Sequence, residues 1–276
     1  MDRIPSGAGR GVRLSEGVAM VRAADRTKRP PRASVWLDGK APRGGAGRRS
    51  DQPSGLDRER ITETAVRLLD AEGLARFSMR RLAAELNVTA MSVYWYVDTK
   101  DDLLELALDA AFGELSLPSD GDGGDWRPQL RALATEYRAL LVRHPWLSPL
   151  AGRFLNIGPR SLELSTAVQR VIRGTGLPPH GQAGAISAVF QFVYGFGTIE
   201  GHFIQRCAEA GMTQDEYVHE AMSSIAATPE VAGPMRESAD MVAARGAGSV
   251  AQLREGDFVF ALEVLVAGIE AMVARV

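Results

Sequence analysis

The chain has 276 residues, 45% of them apolar and 24% charged, with a net charge of −2. That length suits one large domain or two ordinary ones, and the composition suits a globular protein with a sizeable core. No window approaches 18 uninterrupted apolar residues, and the N-terminus has charges but no apolar h-region, which argues against a membrane span and a signal peptide. A single cysteine, Cys207, excludes an internal disulfide and fits a reducing cytoplasm.

The charge is unevenly spread. Residues 1–56 hold twelve Lys or Arg against five Asp or Glu, a local charge of +7, and residues 57–276 carry −9. The first 55 residues are rich in Gly, Pro, Arg and Ser, as in Lys28-Arg29-Pro30-Pro31-Arg32. Such a stretch buries too little apolar surface to offset its ordering entropy, so residues 1–55 are expected to form a disordered basic arm. The arm is either a nucleic-acid-seeking extension or a solvated tail. One apolar island interrupts it, Ser34-Val35-Trp36-Leu37, able to dock elsewhere on the chain.

Order is expected from Leu56. Asp57 is a good N-cap, and Leu56 with Ile61 has the spacing of a hydrophobic staple. Ile61, Ala65, Leu68 and Leu69 share one helical face, and Gly73 ends that helix. Ser78 starts a second helix through Leu86, with Phe77 and Leu82 as its staple. Asn87-Val88-Thr89 makes a short turn, where Asn tolerates the left-handed conformation. Residues 90–97 form a short third helix. Thr99 caps a fourth, with Asp102 reaching back as a short version of a capping-box glutamate.

Two helices of about eight residues joined by a three-residue turn have helix-turn-helix geometry. In such a unit the first helix braces across the DNA backbone and the second lies in the major groove. Leu82, Ala83, Leu86, Val88, Val93 and Val97 supply the small or apolar inward positions. The outer face presents Ala90, Met91, Ser92, Tyr94 and Tyr96, suited to phosphates, base edges and thymine methyls. Arg80 opens the bracing helix, and Lys100 opens the fourth, where its charge and nearby N–H groups suit a phosphate. An ordinary helical hairpin with aromatic core residues would share this pattern.

Residues 56–108 resemble the N-terminal domain of the TetR family of tetracycline-repressor-like regulators. The resemblance rests on Leu69-Asp70-Ala71-Glu72-Gly73-Leu74, on Ser78 to Val88, and on Ser92-Val93-Tyr94-Trp95-Tyr96-Val97-Asp98-Thr99-Lys100. The Tyr-Trp-Tyr run is most similar to the tetracycline-repressor branch. The resemblance implies a DNA-binding domain over residues 56–115, with contacts from Met79, Arg80, Thr89, Ala90, Met91, Ser92, Tyr94, Tyr96 and Lys100 within and beside a motif running from Ser78 to Val97. Asn87 stands where a turn glycine is usual, Ala90 lacks the amide with which some members read a base, and Tyr96 stands where His is frequent. With DNA binding implied, Arg43, Arg48 and Arg49 are the arm residues expected to extend the surface into an adjacent minor groove.

After a Gly/Asp loop at 116–125, the pattern is helical to the end, so the expected fold is all-α. Helices are expected at about 126–143, 147–155, 159–174, 181–209, 213–226 and 255–274, with breaks at Pro145, Pro149, Pro159, Pro178-Pro179, Pro229 and Pro234. The resemblance implies that residues 126–276 form a ligand-binding and dimerisation domain, pairing the 181–209 and 255–274 helices with those of a second copy. Gly195, Gly197 and Gly201 permit close backbone approach. A two-fold dimer calls for a pseudo-palindromic double-stranded operator with half-sites roughly 34–36 Å apart. Trp126, Tyr137, His144, Trp146, Phe154, Gln191, Tyr194 and His202, with Phe192 and Phe203, are the candidates for lining a small-molecule pocket, although core packing serves each of them as well. Glu200 and His202 are two residues apart on a helix and make a poor metal pair. No cofactor, metal or membrane is expected. Neither a nucleophile elbow, a P-loop nor zinc spacing appears, so an enzyme is not expected.

Overall fold

The computed structural model describes residues 34–37, 56–118, 124–228, 230 and 246–275. Among these residues there are ten helices and no strand. They are α1 (Arg58–Glu72), α2 (Met79–Glu85), α3 (Ala90–Tyr94), α4 (Lys100–Phe112), α5 (Trp126–Arg143), α6 (Leu147–Ala151), α7 (Pro159–Arg173), α8 (Pro179–Glu209), α9 (Gln214–Ala226) and α10 (Val250–Val273). The arm residues Arg43, Arg48 and Arg49, and the expected breaks at Pro229 and Pro234, lie outside the described residues.

Local chemistry sets the helix starts in the head. Side chains of Asp57, Ser78, Thr89 and Thr99 each accept a hydrogen bond from the backbone N–H three residues on. Thr99 and Asp102 form a reciprocal capping box. Gly73 ends α1 with φ +76°, a conformation a side chain would strain.

Several boundaries differ from the expected ones. α3 ends at Tyr94, and 95–96 form a turn. α10 starts five residues early because Ser249 and Gln252 make a second kind of capping box. The expected break at Pro178-Pro179 is present, but α8 starts two residues early because Pro179 takes its first turn, where no N–H is needed. Pro149 sits inside the first turn of α6 for the same reason.

Two apolar cores form. The first joins α1–α4 to Leu140, Leu141, Trp146, Leu147 and Leu150, so it runs from the head into the start of the body. The second lies wholly in the body, among α5, α7, α8 and α10, with Phe258 almost completely buried. Gly197 and Gly201 do permit close approach, but within the chain: a Cβ on either would come within 3.0 Å of Leu141 on α5. Gly195 has open space around it.

Candidate nucleic-acid interface and ligand cavity

α2 and α3 pack through Leu82, Ala83, Leu86 and Val93, all buried, with Val97 closing the base. Between them Asn87 adopts φ +55°, and the Val88 N–H donates to the Ala83 carbonyl at 2.9 Å. This tight corner fixes the angle of α3. Its outer side carries Met91 at 69% exposure, Trp95 at 73% and Tyr94 at 41%. Large apolar groups that exposed on a short helix are unusual for a side chain with no partner to meet. Thr89 and Ser92 lie beside them, their hydroxyls 2.9 Å apart.

The expected contact residues do not all point outward. Arg80 is exposed, whereas Met79 is buried in the head core because it occupies the inward face of α2. Tyr96 is half-buried and its hydroxyl is enclosed without a hydrogen-bond partner. The helix has ended by then, so helical spacing no longer predicts its direction. Trp95, the C-cap residue of α3 and still in the right-handed helical conformation, is exposed instead. Lys100 donates to the Phe77 carbonyl at 2.7 Å and lies 5.4 Å from the Phe77 ring centroid, which ties α4 to the residue before the N-cap of α2.

From Lys100 the rod of α4 runs to Phe112. Its C-terminal half is locked to α7. Asp109 accepts from the Ser161 N–H and the Ser161 hydroxyl, both at 2.9 Å, and from the Arg160 N–H at 3.3 Å. A Cβ on Gly158 would stand 2.2 Å from the Asp109 carboxylate, so only glycine allows this approach.

A cavity of about 500 Å³ lies where α4 to α8 meet, a volume suited to a drug-sized ligand. Phe112, Tyr137, Phe190 and Tyr194 are its aromatic lining, and Asn156, Ser161, Ser165 and Gln191 its polar lining. None of its lining residues is charged. The Phe112 and Phe190 rings lie 6.5 and 6.0 Å from the Tyr137 ring. Burial, helped by the neighbouring Tyr194, pushes the Tyr137 phenol up to about 12, which keeps it neutral. The Tyr194 hydroxyl donates to the Ser148 carbonyl at 2.7 Å.

Of the ten sequence candidates, Tyr137, Gln191 and Tyr194 line this cavity and seven lie elsewhere, among them Phe192, stacked on Phe258, and Phe203, edge-on to Tyr217. Trp126 is buried in the second core, Phe154 packs against the first, and His202 is exposed. His144 and Trp146 belong to a joint between head and body. The His144 ring is buried, with Nδ1 2.6 Å from Asp70 of α1 and Nε2 3.1 Å from Glu114. Trp146 Nε1 donates to the same Asp70 oxygen at 2.6 Å. Burial alone would lower the imidazole pKa, but hydrogen bonds and charge from Asp70 and Glu114 outweigh it and hold the pKa above its ordinary value. The expected aromatic and polar signals were there; what redirected them is the carboxylates of α1 and the segment after α4.

A second ionic joint lies in the body. Arg138 makes a two-pronged contact with Glu200 at 2.7 and 2.9 Å and reaches Glu255 of α10 at 2.6 Å. Its guanidinium stands 4.4 Å from the Phe258 ring centroid. Sequence pattern contained no sign of it, because its partners are far away in the chain.

Comparison with known proteins agrees with this architecture. Residues 61–107 match the family model for bacterial regulatory proteins of the tetR family, and residues 117–273 match that for the tetracyclin repressor-like C-terminal domain. An HTH-type transcriptional regulator of Saccharopolyspora erythraea is 35% identical over 178 residues, covering 64% of this chain and 74% of the relative. The HTH-type transcriptional repressor DrrR1 of Streptomyces coeruleorubidus is 36% identical over 184 residues, 66% of each chain. Among solved structures, the Streptomyces coelicolor TetR family protein ActR in complex with actinorhodin is 26% identical and superposes with a TM-score of 0.62 over 79% of this chain and 97% of ActR. No described helix is long and apolar enough to cross a membrane. The chain belongs to the TetR family of helix-turn-helix transcriptional regulators, which are DNA-binding proteins and not enzymes.

Proposed function

We propose that the protein is a homodimeric repressor that leaves a pseudo-palindromic operator when a small molecule fills the body cavity. The observation that carries this reading is α4, whose first residue is bonded to the head and whose last lines the cavity. A ligand that binds the two head orientations unequally shifts the population between them. The contacts proposed are Thr89, Ala90, Met91, Ser92, Tyr94 and Trp95 from the recognition helix and its turn, flanked by Arg80 and Lys100. The basic arm, through Arg43, Arg48 and Arg49, extends this surface along the duplex.

Dimerisation fits the two-sided character of α10. Phe258, Leu262, Val266 and Ile269 are buried within the chain, yet Val259, Phe260, Val264 and Met272 are exposed. A helix apolar on both sides calls for a second partner.

The ligand class follows from the lining. Four aromatic rings with neutral hydroxyls and amides favour a flat, uncharged aromatic molecule carrying oxygens. ActR was solved with actinorhodin, which makes actinorhodin the first probe.

Selection from a randomised duplex pool tests the reading. The intact protein should enrich a pseudo-palindrome that a Met91→Ala, Tyr94→Ala, Trp95→Ala variant fails to enrich, and actinorhodin should release it. A folded dimer that enriches nothing overturns the proposal.

A further inference from the structure

The island Ser34-Val35-Trp36-Leu37 belongs to the folded body of the protein. Its four residues form a turn, with the Leu37 N–H donating to the Ser34 carbonyl and the Trp36 N–H donating to the Ser34 hydroxyl at 3.2 Å. The open end of that turn holds a carboxylate. The Ser34 hydroxyl donates to one oxygen of Glu105, and the Val35 N–H donates to the other at 2.9 Å. Backbone and hydroxyl donors at the start of a turn are a natural seat for an anion. Ser34 and Glu105 are each only 4% exposed. Val35 and Trp36 pack on the first core, the one shared by the head and the start of the body. Leu37 alone faces outward, at 60% exposure.

Glu105 lies at the middle of α4, on the rod between head and cavity. The three acids buried on that helix meet three different segments. Asp102 caps α4 itself, Asp109 caps α7, and Glu105 receives the N-terminal turn. A buried carboxylate is costly unless hydrogen-bonded, so withdrawing the turn forces Glu105 to find water. The seat and the turn therefore stabilise one another.

We infer that residues 34–37 are a strap that seats on α4 at Glu105 and restrains the DNA-binding head in its operator-competent orientation. Releasing the strap frees the middle of α4 and weakens operator binding. The operator half of this inference rests on the repressor reading above; the seating half does not.

Full-length protein tests it by amide exchange over residues 100–112 and by affinity for the selected duplex. Ser34→Asp sets a second carboxylate against Glu105, and Trp36→Ala removes the apolar anchor. Both should speed exchange in the middle of α4 and raise the duplex Kd by about tenfold, the worth of one hydrogen bond to a charged group. Leu37→Ala should change neither. Adding Glu105→Gln to Ser34→Asp should restore protection in part, because the amide donates to the new carboxylate. Unchanged exchange in both Ser34→Asp and Trp36→Ala overturns the strap. Faster exchange with unchanged duplex affinity overturns its hold on the head. If no duplex is enriched, the repressor reading fails while exchange still decides the seating.

Discussion

Head and body are secured by interactions of different reach. α1 to α4 each start on a side chain that accepts from an N–H three residues away. In the body, Arg138 holds Glu200 and Glu255, which are 62 and 117 residues away. Short-range caps are worth about 1 kcal/mol each and can be removed singly. A buried, two-pronged ion pair behaves otherwise, because removing one partner strands the other charge. The head helices thus start on small restraints that can be removed singly, while the body adds to its own caps at Asp125, Thr213 and Ser249 a long-range tie whose loss strands a buried charge.

The comparison breaks most readily at Arg138. Arg138→Ala leaves Glu200 buried without its partner and should cost about 3–5 kcal/mol in urea unfolding at fixed protein concentration. A loss below about 1 kcal/mol would place the body's stability elsewhere.

Next in size is the joint between the two regions. His144→Gln should cost about 2 kcal/mol at pH 6, as befits hydrogen bonds to charged groups. The folded imidazole has a raised pKa, so its contribution is fully present below the unfolded value of about 6.5 and is lost as pH rises through the folded one. The melting-temperature gap between wild type and variant should therefore narrow from pH 6 to pH 9. A gap that widens contradicts a charged His144.

A head cap comes third. Thr99→Ala removes half of the capping box on α4 and should cost about 1 kcal/mol, well under the Arg138 value. Equal losses at the two sites would erase the distinction between regions.

The smallest effect on stability is expected from the arm. Replacing Arg43, Arg48 and Arg49 by Gln should leave the melting temperature unchanged. The salt dependence of duplex affinity should flatten, by a slope of roughly 0.9 for each phosphate the arm no longer neutralises. An unaltered slope leaves the arm as a solvated tail.

The same difference in reach governs what sequence reading could find. Asp57, Ser78 and Thr99 announced their helices because a cap and its donor lie within one turn, whereas Thr89, read only as part of the turn, proved to cap α3 as well. Asn87 announced the corner by its tolerance of positive φ. Tyr96, expected on the outer face, is half-buried because α3 stops at Tyr94 and periodicity has no authority past a helix end, and Trp95, given no role by the pattern, is the exposed ring. In the cavity, Tyr137, Gln191 and Tyr194 were foreseen as types, but so were His144 and Trp146, which Asp70 and Glu114 drew into the joint instead. Ser161 and Phe112 drew no attention, since nothing in a lone Ser or Phe reveals a neighbouring void.

The sequence by itself determined the all-helical pattern, the helix-turn-helix corner, the charge contrast between arm and body, and the family. All of these are set by neighbours within a few residues or by composition. Tertiary structure alone decided that Gly197 and Gly201 serve α5, that Arg138 bridges to α10, that a cavity opens beside Tyr137, and that Ser34 and Val35 hold Glu105. Those pairings join residues tens of positions apart, and only the folded chain brings their charges and surfaces within a few ångströms.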